Sequence, residues 1–153
     1  MTKVEMTEIF AVLLIAYPGA PQFQGGIEGL RPTINLWTSC LADIEYWLGL
    51  RATKIICREL RFPPTIAEFR SAAARAEEGV QQEIGQAWSL YKLLKSSGTT
   101  EYNSKIQAAL MSMGSQNEIN FYAFGAAYRE QLQELTVSGQ KRLRSSQKRL
   151  QGG

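Results

Sequence analysis

"RFPPTIAEFR", Arg61 to Arg70, interrupts a chain that otherwise reads as helix. Pro63 and Pro64 push the residues before them out of helical geometry, because a proline ring collides with the backbone of its predecessor. Thr65-Ile66-Ala67-Glu68 follows at once and has the T-x-x-E form of a capping box. In that motif each side chain satisfies the other residue's free backbone N–H. A helix therefore restarts at Ile66. Pro64 and Phe69 take the two positions of a hydrophobic staple. Ile66, Phe69, Ala73 and Ala76 make one apolar stripe, and alanines at 72, 73, 74 and 76 permit close helix approach. The stretch is a stop and a capped restart, a sharp corner between two core helices. It needs no ligand to explain it.

The same punctuation recurs on both sides. Thr2-Lys3-Val4-Glu5 is another capping box, followed by Met6, Ile9, Phe10, Leu13 and Tyr17 at helical spacing. Pro18-Gly19 stops that helix and opens a Gly/Pro loop from 18 to 32. The loop has close glycines but no G-x-x-x-x-G-K-[ST] and no preceding strand, so it is not read as a phosphate cradle. Pro32 suits the first turn of a second helix, with Ile34, Trp37 and Leu41 inward. Asp43 is the expected N-cap of a third, 44–60, whose inward positions are Trp47, Leu48, Ala52, Ile55, Ile56 and Leu60. Arg51, Lys54 and Arg58 share another face, either solvated or in contact with an acidic partner or phosphate. Beyond the corner a separate helix is expected over 81–95, with Ile84, Trp88, Tyr91, Leu93 and Leu94 inward. Another follows at 101–113 with Tyr102, Ile106, Leu110 and Met113, ended by Gly114. Ser115-Gln116-Asn117-Glu118 is a third capping box, and the last helix runs to about Leu135 through Phe121, Phe124, Tyr128 and Leu132. No stretch alternates as a strand. The fold class is all-α, a compact bundle of six to seven helices over 1–135.

Composition narrows the chemistry. The 153 residues include no histidine, which removes Ser-His-Asp and Cys-His catalysis and histidine metal sites. Two cysteines, Cys40 and Cys57, cannot make a four-thiolate zinc site. Their apolar sequence neighbours suggest reduced core thiols. The longest apolar run, Ile9 to Ala16, is too short to span a bilayer, so no membrane association and a cytoplasmic location are expected. Residues 136–153 hold five basic residues, Lys141, Arg142, Arg144, Lys148 and Arg149, and no acidic one. The remainder, 12 basic against 14 acidic, is mildly acidic. "QKRL" occurs at 140–143 and 147–150, and Leu143 and Leu150 alone cannot hold this segment folded. It is expected as a mobile basic tail, helical when bound, or as an extension of the last helix. Glu77-Glu78 and Glu130/Glu134 read as solvated faces. No nucleophile elbow, zinc motif, dinucleotide fingerprint or Walker lysine is present, so a binding protein without catalytic residues or cofactor is expected.

Several segments together resemble the phage replicative-helicase loader/inhibitor proteins of Gram-positive bacteriophages and prophages. "FPPTIAEFR" is the most specific match to that family's F-P-P-[ST]-I-A-E-[IF]-R, on Phe62, Pro63, Pro64, Thr65, Ile66, Glu68, Phe69 and Arg70. "MTKVEMTEIFAVLLIAYP" is similar to its first helix, and "INLWTSCLADIEYWLGLRATKII" to its second and third. "QAWSLYKLL", "IQAALMSMG" and "FYAFGAAYREQLQEL" are similar to later helices. The resemblance covers roughly 2–135 and is strongest over 1–75. The loop at 18–32 is longer than the family pattern, and the repeated "QKRL" lies outside it. The resemblance implies an adaptor that binds a DnaB-type hexameric helicase, restrains it, and hands it to an origin-bound replication initiator. It implies no ATPase activity. It also implies helicase contact through the C-terminal region, here Lys141, Arg142, Leu143, Arg144, Lys148, Arg149 and Leu150, or through the aromatic late helix. Two other readings stand beside it. One is a phage regulatory protein binding nucleic acid through the tail, weakened because no aromatic is interleaved there to stack on bases. The other is an inhibitor of a different host replication protein.

Overall fold

The computed structural model describes residues 1–114 and 119–151, without the side chains of 143, 144 and 146–151. Among the described residues there are seven α-helices and no strand. They are α1 (Lys3–Ala16), α2 (Gly26–Gly29), α3 (Arg31–Cys40), α4 (Tyr46–Glu59), α5 (Ile66–Ser96), α6 (Ser104–Met113) and α7 (Phe121–Gln151), with a 3₁₀ turn at Pro21–Phe23. The chain divides into two units, Met1–Glu78 and Gly79–Gly153.

In the first unit α1 packs on α3 and α4. Met6, Ile9, Phe10 and Leu13 of α1 meet Ile34 and Trp37 of α3 and Trp47, Ala52 and Ile56 of α4 in the core. The expected capping box opens α1, with the Thr2 N–H donating to Glu5 at 2.6 Å and the Glu5 N–H to Thr2 at 3.3 Å. The loop at 18–32 is more structured than its Gly/Pro content suggested. It holds the 3₁₀ turn and α2, with Gly25 and Gly26 at positive φ where the chain reverses.

Asp43 is not the N-cap of α4. Glu45 stands there, without a side-chain cap bond, and the Asp43 carboxylate is held by Arg70. The cysteines also depart from expectation. Both are exposed and unbridged. Successive helical residues point about 100° apart, so an apolar neighbour in sequence does not bury the next side chain. Leu41 and Ile56 take the core positions instead.

In the second unit the buried residues are Val80, Ile84, Ala87 and Tyr91 of α5, Ile106 and Ala109 of α6, and Phe124, Ala127, Tyr128 and Leu132 of α7. Gly125 lets α7 approach α5, since a Cβ there would lie 3.3 Å from the Ile84 side chain. Asn103 caps α6, its side chain accepting from the Ile106 N–H at 3.0 Å. The expected box at Ser115–Glu118 lies outside the described residues. Asn120 accepts from the Ala123 N–H at 2.9 Å at the start of α7. Of the side chains expected inward here, Leu93, Phe121 and Leu135 are exposed, and Trp88, Leu94, Tyr102, Leu110 and Met113 are half-buried.

The two helices expected on either side of Gly79 are one. α5 runs 31 residues without interruption. Its buried stripe continues across the glycine through Phe69, Ala72, Ala73, Ala76, Val80, Ile84, Ala87 and Tyr91, at spacings that keep one face inward. A glycine costs an interior helix position only about 1 kcal/mol. The last helix likewise passes Leu135, so residues 136–151 continue α7.

Candidate functional site

The proline corner is built by local bonds and closed by distant ones. Leu60 leaves α4 in an extended conformation, φ −96° and ψ 131°. The Tyr17 hydroxyl donates to the Leu60 carbonyl at 3.1 Å, an acceptor that the helix end leaves open, and approaches the Ile56 carbonyl at 3.3 Å, which also accepts the Leu60 N–H. Burial pushes the Tyr17 hydroxyl pKa up. After the prolines, the Thr65 N–H and hydroxyl donate to Glu68 at 2.7 and 2.8 Å, and the Glu68 N–H donates back at 3.2 Å. These bonds to Thr65 hold the Glu68 carboxyl below the usual carboxylate range. Pro64 and Phe69 are both buried, as the staple requires. Phe69 stands edge-on to Trp37 at 5.6 Å, and Trp37 edge-on to Phe10 at 5.0 Å. Arg70 grips Asp43 with two bonds, 2.8 and 3.0 Å, and the Cys40 carbonyl with a third. The hydrogen bond from Arg70 lowers the Asp43 pKa.

This corner forms one wall of a concavity of about 220 Å³. Pro63, Pro64, Thr65 and Ile66 face Phe10 and Leu13 of α1, Gln22 and Phe23 of the 3₁₀ turn, and Leu30, Thr33 and Trp37 at α3. The lining is apolar with three polar side chains, the composition of a site that takes an apolar group and orients it. Phe62 stands beside it, 71% exposed, with the Arg61 guanidinium 5.8 Å from its ring centre. The sequence motif marked this corner, but not the concavity. Its other walls come from residues 26 to 56 positions away and carry no local signal.

The second unit presents a different surface. Trp88 packs on Phe121 and Phe124 at 6.0 and 5.3 Å, and Tyr122, beside Phe121, is 85% exposed. Lys92 lies 5.9 Å from the Trp88 ring centre. Of the basic segment, Lys141 and Arg142 are exposed on α7. The side chains of Leu143, Arg144, Lys148, Arg149 and Leu150 lie outside the described residues. Among those described, no cluster of Cys, Asp and Glu could hold a metal ion, and no helix is long and apolar enough to cross a membrane.

Comparison with known proteins carries the resemblance over the first unit. Residues 1–70 match the family model G39P_N, the N-terminal domain of the phage SPP1 helicase loader of that name. The matched span ends on Arg70, the last residue of the proline motif. No curated protein and no solved structure gives a significant match.

Proposed function

We propose, from a first unit that matches a phage helicase-loader domain, that the chain is a phage DNA-replication adaptor for a DnaB-type hexameric helicase. It binds the helicase, restrains it before it reaches DNA, and delivers it to an origin-bound initiator. The match over residues 1–70 is the observation that carries this reading. Helicase contact is assigned to the basic end of α7, around Lys141, Arg142, Leu143, Arg144, Lys148, Arg149 and Leu150. A helix laid into a groove is a common recognition mode, and this segment carries positive charge without acidic residues.

The test is co-elution of the purified chain with the cognate helicase, with and without nucleotide. A stable complex that is lost on deleting 136–153 is the expected result. Absence of any complex at tens of micromolar, under either condition, would overturn the reading. Steep salt-dependent affinity for DNA that disappears with the same deletion would favour the nucleic-acid reading instead.

A further inference from the structure

We infer that the aromatic surface where α5 meets the start of α7 is a binding site for single-stranded DNA. Trp88 of α5 packs on Phe121 and Phe124 of α7 at 6.0 and 5.3 Å, and Tyr122 stands edge-on to Phe121 at 5.9 Å. Phe124 is buried, whereas Trp88 is half-buried, Phe121 is 42% exposed and Tyr122 is 85% exposed. Three neighbouring rings therefore reach solvent. Unpaired bases stack on such rings with little regard to sequence. The cations for the phosphates are set against the same aromatics. The Lys92 ammonium lies 5.9 Å from the Trp88 ring centre, and the Lys95 ammonium 5.7 Å from that of Tyr91. Both lysines are exposed, and neither has a carboxylate partner among the described residues.

The charge pattern favours this occupant. Residues 84–96 and 119–128, which supply the open rings, carry Lys92 and Lys95 and no acidic side chain. Glu83, just outside them, is neutralised by Lys105 at 2.5 Å. Glu101 adjoins Tyr102, which packs on buried Tyr91 at 5.6 Å, and Glu118 lies outside the described residues. Residues 79–153 together hold nine basic and five acidic side chains. A partner helix laying an apolar face on the rings would bury two ammonium groups without an anion, which is costly. A second copy of this surface would bring lysine against lysine. A phosphodiester chain supplies an anion for each lysine and a base for each ring. The Ser89 hydroxyl and the Asn120 side chain, next to Trp88 and Phe121, bond the Gly85 carbonyl and the Ala123 N–H at 3.0 and 2.9 Å. Both are engaged by their own helix rather than offered to a ribose 2′-hydroxyl, which assigns the strand as DNA rather than RNA. This inference does not rest on the helicase reading, and it differs from binding through the basic segment alone, which has no aromatic to stack on bases.

The test is fluorescence anisotropy of a labelled oligothymidine of about fifteen nucleotides, the length of one such site, titrated with the full-length protein at several salt concentrations. Tyr122→Ala, at an exposed position, should weaken binding about tenfold, the scale of one stacked base, with an unchanged circular dichroism spectrum. Tyr122→Phe should restore it. Lys92→Ala with Lys95→Ala should reduce the slope of log affinity against log salt by about 1.4, the share of two phosphate contacts on a single strand. A chain with alanine at Lys141, Arg142, Arg144, Lys148 and Arg149 should bind more weakly yet keep the dependence on Tyr122. No binding by the parent at about 100 μM protein in low salt would overturn the proposal, since that is the scale of even non-specific contact. So would parental affinity for Tyr122→Ala in both backgrounds, which would leave the basic segment as the only contact. Equal affinity of the five-alanine chain for a duplex, tighter binding of oligouridine, or displacement of the oligothymidine by an acidic apolar peptide would each overturn it as well.

Discussion

Thr65 is the residue on which the corner turns. Its backbone and hydroxyl bond Glu68, and Glu68 bonds back, so one threonine satisfies donors that would otherwise be free at the start of α5. Thr65→Ala should lower stability by about 1 kcal/mol, the usual loss for such a cap. Urea denaturation followed by circular dichroism would measure it. Trp37 tests packing rather than capping. Its indole lies between Phe10 and Phe69, so Trp37→Ala opens a cavity at the junction of α1, α3 and α5. A loss of about 3–5 kcal/mol is expected in the same experiment. An equal and small effect from both substitutions would show that the corner is not organised around this aromatic row. These two roles were legible to different degrees. The cap is an i, i+3 pattern and reads directly from four letters. The core position of Trp37 follows from helical spacing, whereas its ring partners come from segments 27 and 32 residues away.

At the scale of the element, α5 carries the clearest lesson. The apolar spacing predicts one helix from Ile66 and a separate one over 81–95, and Gly79, which weakens a helix locally, falls between them. The inward stripe from Phe69 to Tyr91 does not break there, and burial of that stripe outweighs one glycine. A Cβ at Gly79 would meet nothing within 4 Å, and its φ is not positive. Gly79→Ala should therefore stabilise the protein by about 0.5–1 kcal/mol through the lower entropy of the unfolded chain. A fall in melting temperature on this substitution would show that the helix needs a break at this point. Local periodicity thus gave each helix its type and its inward face. It failed where tertiary burial overruled a local breaker, at Gly79, and where a long-range partner claimed a side chain. Asp43 had the right residue type for an N-cap. Arg70, 27 positions later, draws its carboxylate away. No local pattern encodes that pair, nor the walls of the concavity beside Pro63 and Pro64.

At the scale of the molecule, Asp43, Glu59 and Glu68 are carboxylates among the described residues whose lowered pKa values contribute to the response to acid. Asp43 and Glu59 are held low first by arginine hydrogen bonds, and Glu68 by bonds to Thr65. Their folded pKa values lie below the ordinary 3.8 for Asp and 4.5 for Glu. The stabilisation they give is fully present above those values and is lost as pH falls through the lowered ones. Arg70 and Arg75 remain charged throughout. Melting temperature should be flat from neutrality to about pH 5 and then fall. Asp43→Asn combined with Glu59→Gln should flatten that fall, at the expense of lower stability at pH 7. Equal acid slopes in the variant and the parent would place the acid sensitivity elsewhere. The outward position of both cysteines bears on handling the protein outside a reducing environment. Cys40 and Cys57 are exposed residues with no bridge to each other, and partial burial of the Cys57 thiol raises its pKa, which leaves Cys40 the more readily oxidised. Air oxidation is therefore expected to cross-link separate molecules and build a ladder of covalent oligomers on a non-reducing gel. A serine at each position should abolish the ladder and leave a single band.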